Sequence, residues 1–345
     1  MIRTGARIGV RIRAMSLNAA TAKTLAIALL LLAGPALAQA PDSWRRAFPE
    51  TDFSEHAVAF DEIQSGGVPK DGIPSIDDPR FVPVAERKDW LSDREPVIGL
   101  SIDGDARAYP LRILTWHEIV NDTVGDTPVA VTYCPLCNAA IVFEATHMGQ
   151  RLTFGTTGKL RHSDLVMYDR QTGTWWQQFT GRGIVGEHTG DKLTFVPARL
   201  ESWGDFRKRH PDGRVLVPSD PNARPYGRNP YAGYDSAERP FLYSGPVPEK
   251  LPAMARVVVI DGEAWALDLV RKKQRIETDS HVIAWTPGQA SALDAREIAQ
   301  GRDVGTVTVR KKTAAGLENA VYDVTFAFVF KAFHPEGTWH VGDGS

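Results

Sequence analysis

The sequence IDGDARA at residues 102–108 returns as IDGEAWA at residues 260–266. A β-branched run precedes each copy, at residues 97–98 and 257–259, and a leucine follows each, Leu111 and Leu269. Similarity between two distant parts of one chain is the signature of a repeated structural unit. The pair therefore indicates a fold in which one unit is built twice.

A second pair of segments repeats in the same order. FRKRHPDG at residues 206–213 returns as FKAFHPEG at residues 330–337. The first pair is offset by 158 positions (260 against 102) and the second by 124 (330 against 206), so the second copy is about 34 residues shorter. Two matches in one order favour duplication. His210 and His334, each followed by proline, are then assigned to the shared scaffold.

Most of the first half has strand patterns. Residues 129–133 form a short β-branched run. Residues 140–145 and 151–156 flank one polar turn, and residues 165–168 and 175–179 flank another, as the strands of hairpins do.

Two helices are predicted, from Pro110 to about Val120 and from about Leu200 to His210, because proline begins the first and follows the second. The fold class expected is α+β, predominantly antiparallel β with a few short helices, built as an internal duplication.

The first 38 residues have the pattern of an export signal. Five basic and no acidic side chains accompany the apolar run LAIALLLLA at residues 25–33 and the sequence ALA at residues 36–38. The run is shorter than the ~20 residues of a membrane-spanning helix. No Arg-Arg pair precedes it, which favours the general secretory route. We expect cleavage near Gln39, a periplasmic or secreted protein, and no stable membrane anchor after cleavage.

The expected organisation has five parts. Residues 211–252 are rich in proline, glycine and tyrosine, which predicts an extended connector rather than a helix or a central strand. The parts are residues 1–38, the signal peptide; 39–90, an N-terminal extension; 91–210, the first repeat; 211–252, the connector; and 253–345, a second, degenerate repeat.

Composition excludes several classes of protein. A hydrophobic share of 43% and a charged share of 24% are typical of a globular chain, not of a disordered or collagen-like one. Beyond residue 38 there are 35 basic residues (40 − 5) against 42 acidic ones, a net charge of −7. With no basic run, nucleic acid is not an expected partner.

The two cysteines stand together in the sequence Tyr133-Cys134-Pro135-Leu136-Cys137. A disulfide closing so short a loop would stabilise the fold by only about 2 kcal/mol, which favours a chemical role over a stapling one. In an exported protein the spacing indicates redox chemistry or metal binding.

The second half offers an internal comparison with this motif. Its equivalent strand, residues 282–285, is followed by TPGQ at residues 286–289. The proline persists and both sulfurs are absent, so the turn itself does not require cysteine.

Two histidines are candidate partners of the cysteines. His117, in the sequence TWHE at residues 115–118, lies on the predicted helix before the cysteine strand and has no counterpart in the second half. It is either a packed helix residue or a base or metal ligand near the thiols. His162, in the sequence RHSD at residues 161–164, lies in a polar loop and is the weaker candidate.

The sequence ARAYPLRILTWHEIVNDTVGDTPVAVTYCPLCNAAIVFE, residues 106–144, together with FGTTGKLRHSDLVMYDRQTGTWWQQFTGRGIVGE, residues 154–187, resembles the exported bacterial family of unknown function DUF3179. The resemblance extends over roughly residues 90–340. Cys134, Cys137 and His117 match the family pattern, whereas serine or asparagine is often found at the position of His162. The resemblance implies no settled activity.

Three functions remain open. The first is a thiol/disulfide or peroxide oxidoreductase in which Cys134 attacks, Cys137 resolves the intermediate and His117 assists; its redox partner or small substrate is unknown. The second is a copper or zinc protein that binds the metal with Cys134, Cys137, His117 and His162. The third is a non-catalytic interaction module that uses the tyrosines of the connector.

Overall fold

The computed structural model describes residues 39–86 and 91–342, and the regular structure there is mostly antiparallel β-sheet with short helices. This confirms the predicted predominance of antiparallel strands. The predicted signal peptide, residues 1–38, lies outside the described residues. Numbered β1 to β24, the described strands are Ile63–Ser65, Arg80–Pro83, Pro96–Ile102, Asp105–Pro110, Ile119–Val124, Thr127–Cys134, Ala139–Glu144, Thr146–His147, Gln150–Arg151, Phe154–Arg161, Asp164–Asp169, Trp175–Gln177, Arg182–Val185, Phe195–Val196, Arg199–Ser202, Arg214–Val217, Arg256–Ile260, Glu263–Ala266, Arg275–Glu277, His281–Thr286, Thr306–Thr313, Gly316–Asn319, Asp323–Phe326 and Thr338–His340.

The helices are short, and local features explain their bounds. Numbered α1 to α5, the described α-helices are Asp42–Ala47, Leu111–His117, Trp203–Arg209, Leu267–Lys273 and Ala327–Phe333. Helix α2 follows Pro110 and ends before the predicted Val120, because Glu118 has left-handed backbone (φ 59°). Helix α3 starts later than predicted, because Leu200 pairs in a strand and Ser202 caps the helix by accepting a hydrogen bond from the Asp205 amide.

Five sheets of four or five strands account for most of the described fold. Their orders are β1-β10-β11-β12-β13, β14-β7-β6-β5, β15-β3-β4-β16-β2, β23-β17-β18-β24 and β19-β20-β21-β22. The sheets are arranged like the blades of a propeller, which suggests internal repeats. No helix among the described residues has the length and apolar character needed to cross a membrane.

The repeated sequence IDG forms the same turn twice. It joins β3 to β4 and β17 to β18, and Asp103 and Asp261 have φ values of 49° and 48°. Each hairpin leads directly into a seven-residue helix, α2 or α4. The paired segments therefore occupy equivalent strands.

The second sequence match also has one structure in both halves. Strands β15 and β23 pair antiparallel with β3 and β17, and helices α3 and α5 follow them. His210 and His334 end these helices with nearly identical backbone angles (φ −133° and −131°). Strands β16 and β24 then pair parallel with β4 and β18.

An insertion explains why the first half is longer. Strands β8 to β13 lie between β7 and β14, whereas the corresponding strands β21 and β22 form a direct hairpin. Of the inserted strands, β10 to β13 complete the sheet that β1 enters from the N-terminal extension. Hairpin pairing of β11 with β12 is as expected. The predicted turn after residue 145 also forms a hairpin, but a short one: β8 pairs with β9, and the Leu152 amide donates to the Ala145 carbonyl (2.8 Å). The preceding strand β7 pairs instead with β6 and β14.

The predicted connector begins as a strand. Arg214–Val217 is β16, which lies between β4 and β2 rather than in an extended linker, because its three apolar residues are buried there. From residue 218 to residue 255 the chain forms no further strand, and its longest regular element is the 3-10 turn Tyr234–Ser236.

Candidate functional site

The cysteine motif turns the chain between two buried strands. Cys134 is the last residue of β6, and the Cys137 amide donates a hydrogen bond to the Cys134 carbonyl (3.2 Å). Asn138 completes the turn in left-handed backbone (φ 53°), and its side-chain amide donates to the Val324 carbonyl (2.7 Å). Both cysteines are buried and unoxidised, in a core cluster to which both halves contribute.

Asp164 completes a cluster with the two sulfurs. One carboxylate oxygen of Asp164 and the Sγ atoms of Cys134 and Cys137 all lie within 4.8 Å of one another. The turn before Asp164 has left-handed backbone at His162 (φ 54°) and Ser163 (φ 67°), a conformation that costs free energy in residues other than glycine. It brings the Ser163 carbonyl to the Cys134 thiol, which donates to it at 3.8 Å.

The Asp164 carboxyl is only half satisfied. Its Oδ2 accepts hydrogen bonds from the Phe179 amide (2.9 Å) and the Gln177 side chain (2.7 Å). Its Oδ1 is buried and has no hydrogen-bond partner among the described residues. Burial raises the pKa of Asp164 to about 6.

A second buried carboxyl, that of Glu118, borders the cluster. Its main-chain carbonyl accepts a hydrogen bond from the amide of Tyr133, the neighbour of Cys134 (2.8 Å). Glu118 is 8% exposed, and burial, followed by the charge of Asp164, raises its pKa to about 8. The site thus contains two thiols and two carboxyl groups, all buried.

This environment disfavours thiolates. Burial raises the pKa of Cys134, and the charges of Asp164 and Glu118 act in the same direction. Burial likewise raises the pKa of Cys137. Reactive cysteines have the opposite surroundings, electropositive and partly exposed, whereas a bound cation would deprotonate both thiols.

The two predicted histidines lie apart from the three-residue cluster. The ring nitrogens of His117 contact the Pro74 carbonyl (2.8 Å) and the Tyr226 hydroxyl (2.8 Å). The Nε2 atom of His162 lies 3.6 Å from a carboxylate oxygen of Glu62. The histidines are thus engaged with the N-terminal extension and the connector.

Asp164 and Glu118 are the residues that sequence reasoning missed. Each stands beside a histidine that was considered: Glu118 follows His117, and Asp164 lies two positions after His162. An acidic residue close to each candidate histidine was therefore the sequence feature that could have identified Asp164 and Glu118.

Tyrosines of the connector cover the site. The Tyr234 hydroxyl donates to the carbonyl of Leu136, inside the cysteine turn (3.0 Å). Tyr231 is largely buried, and burial, then the nearby Glu118 carboxyl, raise its pKa. The Ser163 hydroxyl donates to the carbonyl of Phe241 (2.5 Å), which ties the connector to the turn before Asp164.

The equivalent position in the second half lacks this chemistry. Thr286 ends β20 as Cys134 ends β6, and the next strand begins opposite each of them, at Thr306 and Ala139. The residues between β20 and β21 form a long loop, 287–305, rather than a four-residue turn.

A second group of potential metal ligands lies elsewhere on the inserted strands. His147 Nε2 and His188 Nδ1 approach the same carboxylate oxygen of Asp191, at 2.9 and 3.2 Å. All three ligand atoms lie within 4.8 Å of one another. His147 and His188 are 41 positions apart (188 − 147), so no local spacing identified them.

Comparison with known proteins gives one match. The model of a family described as "Protein of unknown function (DUF3179)" matches residues 70–337. No curated protein matches the chain, and no solved structure does.

Proposed function

Since the chain belongs to the DUF3179 family, whose description names no activity, we propose from the geometry of the site that the protein binds a transition-metal ion, with Cys134, Cys137 and Asp164 as ligands. The observation that carries this proposal is the convergence of two sulfurs and one carboxylate oxygen within 4.8 Å. Asp164 Oδ1 has no other hydrogen-bond partner among the described residues, so a cation would satisfy a buried polar atom.

Zinc suits this ligand set better than copper. Cu(I) prefers sulfur ligands alone, whereas Zn²⁺ accepts thiolate and carboxylate together. Zn²⁺ is usually four-coordinate. Glu118 is a buried carboxyl whose pKa is raised by the charge of Asp164 and whose own charge raises the pKa of Cys134. We therefore propose Glu118, in place of the histidines, as the fourth ligand.

The electrostatics support a cation. Two carboxyls and two thiols lie buried together. The charge of Asp164 raises the pKa of Glu118, and the charges of both carboxyls raise the pKa of Cys134. A divalent cation would reverse this effect, because it stabilises every ionised ligand at once.

A reversible dithiol remains the second candidate. The two sulfurs are close together on one turn, which favours disulfide formation. The raised thiol pKa values weigh against rapid attack by Cys134. The interaction module is less favoured, because the hydroxyls of Tyr226 and Tyr234 are already engaged within the protein, by His117 and by the Leu136 carbonyl.

We also propose that the two halves arose by duplication, with repeats at residues 91–210 and 253–345. The shared turns, helices and strand pairings support this, and so does the single insertion that lengthens the first half. In this proposal the first repeat acquired the site and the second retained the scaffold. Export of the protein to the periplasm is likewise a proposal.

Metal analysis of the purified full chain tests the proposed function. The variant His188→Ala removes a ligand of the second group, and we expect it to retain about one equivalent of zinc. Adding Cys134→Ser to that variant should abolish it. Zinc content that does not depend on Cys134 would overturn the proposal.

A further inference from the structure

A cavity of about 470 Å³ lies between a sheet of the first half and a sheet of the second. Strands β7 and β14 form one side, and β17 with β23 forms the other. Its aromatic lining consists of Phe179, Phe195, Tyr322 and Phe333. The volume falls in the range of small-molecule sites, and an apolar lining with a few polar groups is their usual composition.

Two cations face each other at this cavity. Arg182 and Lys192 form an antiparallel bridge, which places their side chains directly opposite, and both line the cavity. Among the described residues neither has a carboxylate partner within 4.0 Å. Like charges directly opposite destabilise a sheet. An anion between them would remove this repulsion.

Asp323 supplies a polar group on the opposite side. Its Oδ1 accepts hydrogen bonds from the Val324 amide (2.8 Å) and the Ala140 amide (3.4 Å). Its Oδ2 is buried and has no partner among the described residues. Burial raises the pKa of Asp323 to about 7, so this carboxyl does not cancel the charge of the two cations fully. Asp261 also lines the cavity, but its side chain is 81% exposed, so solvent and salt screen its charge.

The equivalent cleft, between β3 with β15 of the first half and β21 with β22 of the second, is closed. That cleft has a volume of only about 10 Å³. Four equivalent pairs of residues line the closed and open clefts, respectively: Ser101 and Val259, Arg199 and Asp323, Arg209 and Phe333, and Val309 and Val142.

Ion pairing accounts for the charge in the closed cleft. There Arg209 pairs with Glu201, and Arg199 donates a hydrogen bond to Asn319 (2.8 Å). The open cleft has Phe333 and Asp323 at those two positions, and its cations come from the inserted strand β13 and the segment after it. The open volume is thus not a requirement of the shared scaffold.

We propose that the open cavity binds an organic anion with a flat apolar body. Its acidic group lies between Arg182 and Lys192, and its body packs among the aromatic side chains. This site is separate from the cysteine cluster and does not depend on a metal there.

Two fluorescent probes of similar shape test this proposal. One is 8-anilinonaphthalene-1-sulfonate, and the other is N-phenyl-1-naphthylamine, which lacks the sulfonate. We expect the full chain to bind one equivalent of the sulfonate at least about tenfold more tightly than the amine. In the double variant Arg182→Gln, Lys192→Gln this preference should disappear, with binding of the amine unchanged.

Two further variants locate the binding. Val321 lines the cavity and is 42% exposed, so Val321→Trp should block both probes without disturbing the core. The double variant Arg271→Gln, Lys272→Gln, at exposed positions of α4, likewise removes one arginine and one lysine charge and should change the binding of neither probe. Sulfonate binding that survives in the double variant Arg182→Gln, Lys192→Gln overturns the proposal, and so does equal binding of the two probes by the unaltered protein. Probe binding should be the same with and without a metal chelator, because the cavity is separate from the proposed metal site.

Discussion

Glu118 and Gln274 occupy equivalent positions in the two halves and share one backbone geometry. Each ends a seven-residue helix in left-handed backbone, with φ values of 59° and 57°. Their carbonyls accept hydrogen bonds from equivalent strand residues, Tyr133 (2.8 Å) and Trp285 (2.9 Å). The half without cysteines has a neutral amide here, and the half with Cys134 has a buried carboxyl. The turn therefore does not require the charge, and we attribute the carboxyl to the site.

The first prediction concerns the pH dependence of stability in the metal-free protein. The pKa of Glu118 is 4.5 without burial and about 8 in the fold. The fold favours the protonated, neutral form of Glu118. Its contribution to the free energy of unfolding is therefore fully present below pH 4.5 and is lost as the pH rises through about 8. One pKa unit corresponds to about 1.4 kcal/mol, so the loss is on the order of a few kcal/mol.

Glu118→Gln should remove most of this loss, because the equivalent helix already ends in glutamine. Urea unfolding at about pH 5 and about pH 8 measures it, with and without the substitution. Asp164 and Asp323, whose pKa values are raised to about 6 and about 7, account for the dependence that remains. An identical pH dependence in the two proteins would show that the carboxyl of Glu118 is not destabilised by burial.

The second prediction separates Asp164 from His117 as a metal ligand. Asp164→Asn keeps the shape of the side chain and should weaken zinc binding roughly a hundredfold. His117→Phe removes contacts to Pro74 and Tyr226, so it should lower stability by about 1–2 kcal/mol. It should leave zinc affinity unchanged. Competition with a chromophoric chelator gives the affinities, and a larger effect of His117→Phe would restore the histidine to the ligand set.

The third prediction concerns thiol reactivity. Cys134 is 2% exposed and Cys137 is fully buried, and burial raises the pKa of both. Metal-free protein should therefore react with a disulfide reagent at pH 7 at least about a hundredfold more slowly than the same chain in urea. Cys137→Ser should not accelerate the remaining thiol. Rapid labelling of Cys134 in the folded protein would favour the dithiol function instead.

The fourth prediction concerns the N-terminus. If residues 1–38 are an export signal, protein recovered from the periplasm should begin at or near Gln39. Intact mass measurement decides this. A periplasmic protein that retains the apolar run at residues 25–33 would contradict cleavage.

Local patterns predicted the elements that depend on neighbouring residues. The strand that ends at Cys134, the paired turns at Asp103 and Asp261, and the predominance of antiparallel sheet follow from β-branched runs and turn residues. Helix limits were less accurate. The end of the first depends on the backbone of Glu118, and the start of the second depends on strand pairing by Leu200.

The cluster itself could not be read from spacing. Asp164 is 27 positions from Cys137 (164 − 137) and reaches it only because an inserted hairpin folds back onto the cysteine turn. His117 was the more obvious candidate, but its ring contacts Pro74 of the N-terminal extension and Tyr226 of the connector. Neither contact has a local sequence signal.

Cobalt substitution tests the central claim most directly, because Co²⁺ bound by thiolates gives a charge-transfer absorption in the near ultraviolet. The experiment uses the His188→Ala variant, in which the group of His147, His188 and Asp191 has lost a ligand. When Co²⁺ is added to this metal-free protein, the band should appear and reach its full intensity at about one equivalent. The band should be absent in Cys134→Ser, which is expected to lose the bound metal, and also in the double variant Cys134→Ser, Cys137→Ser. A titration that produces no thiolate band in the unaltered cysteine site would contradict the account.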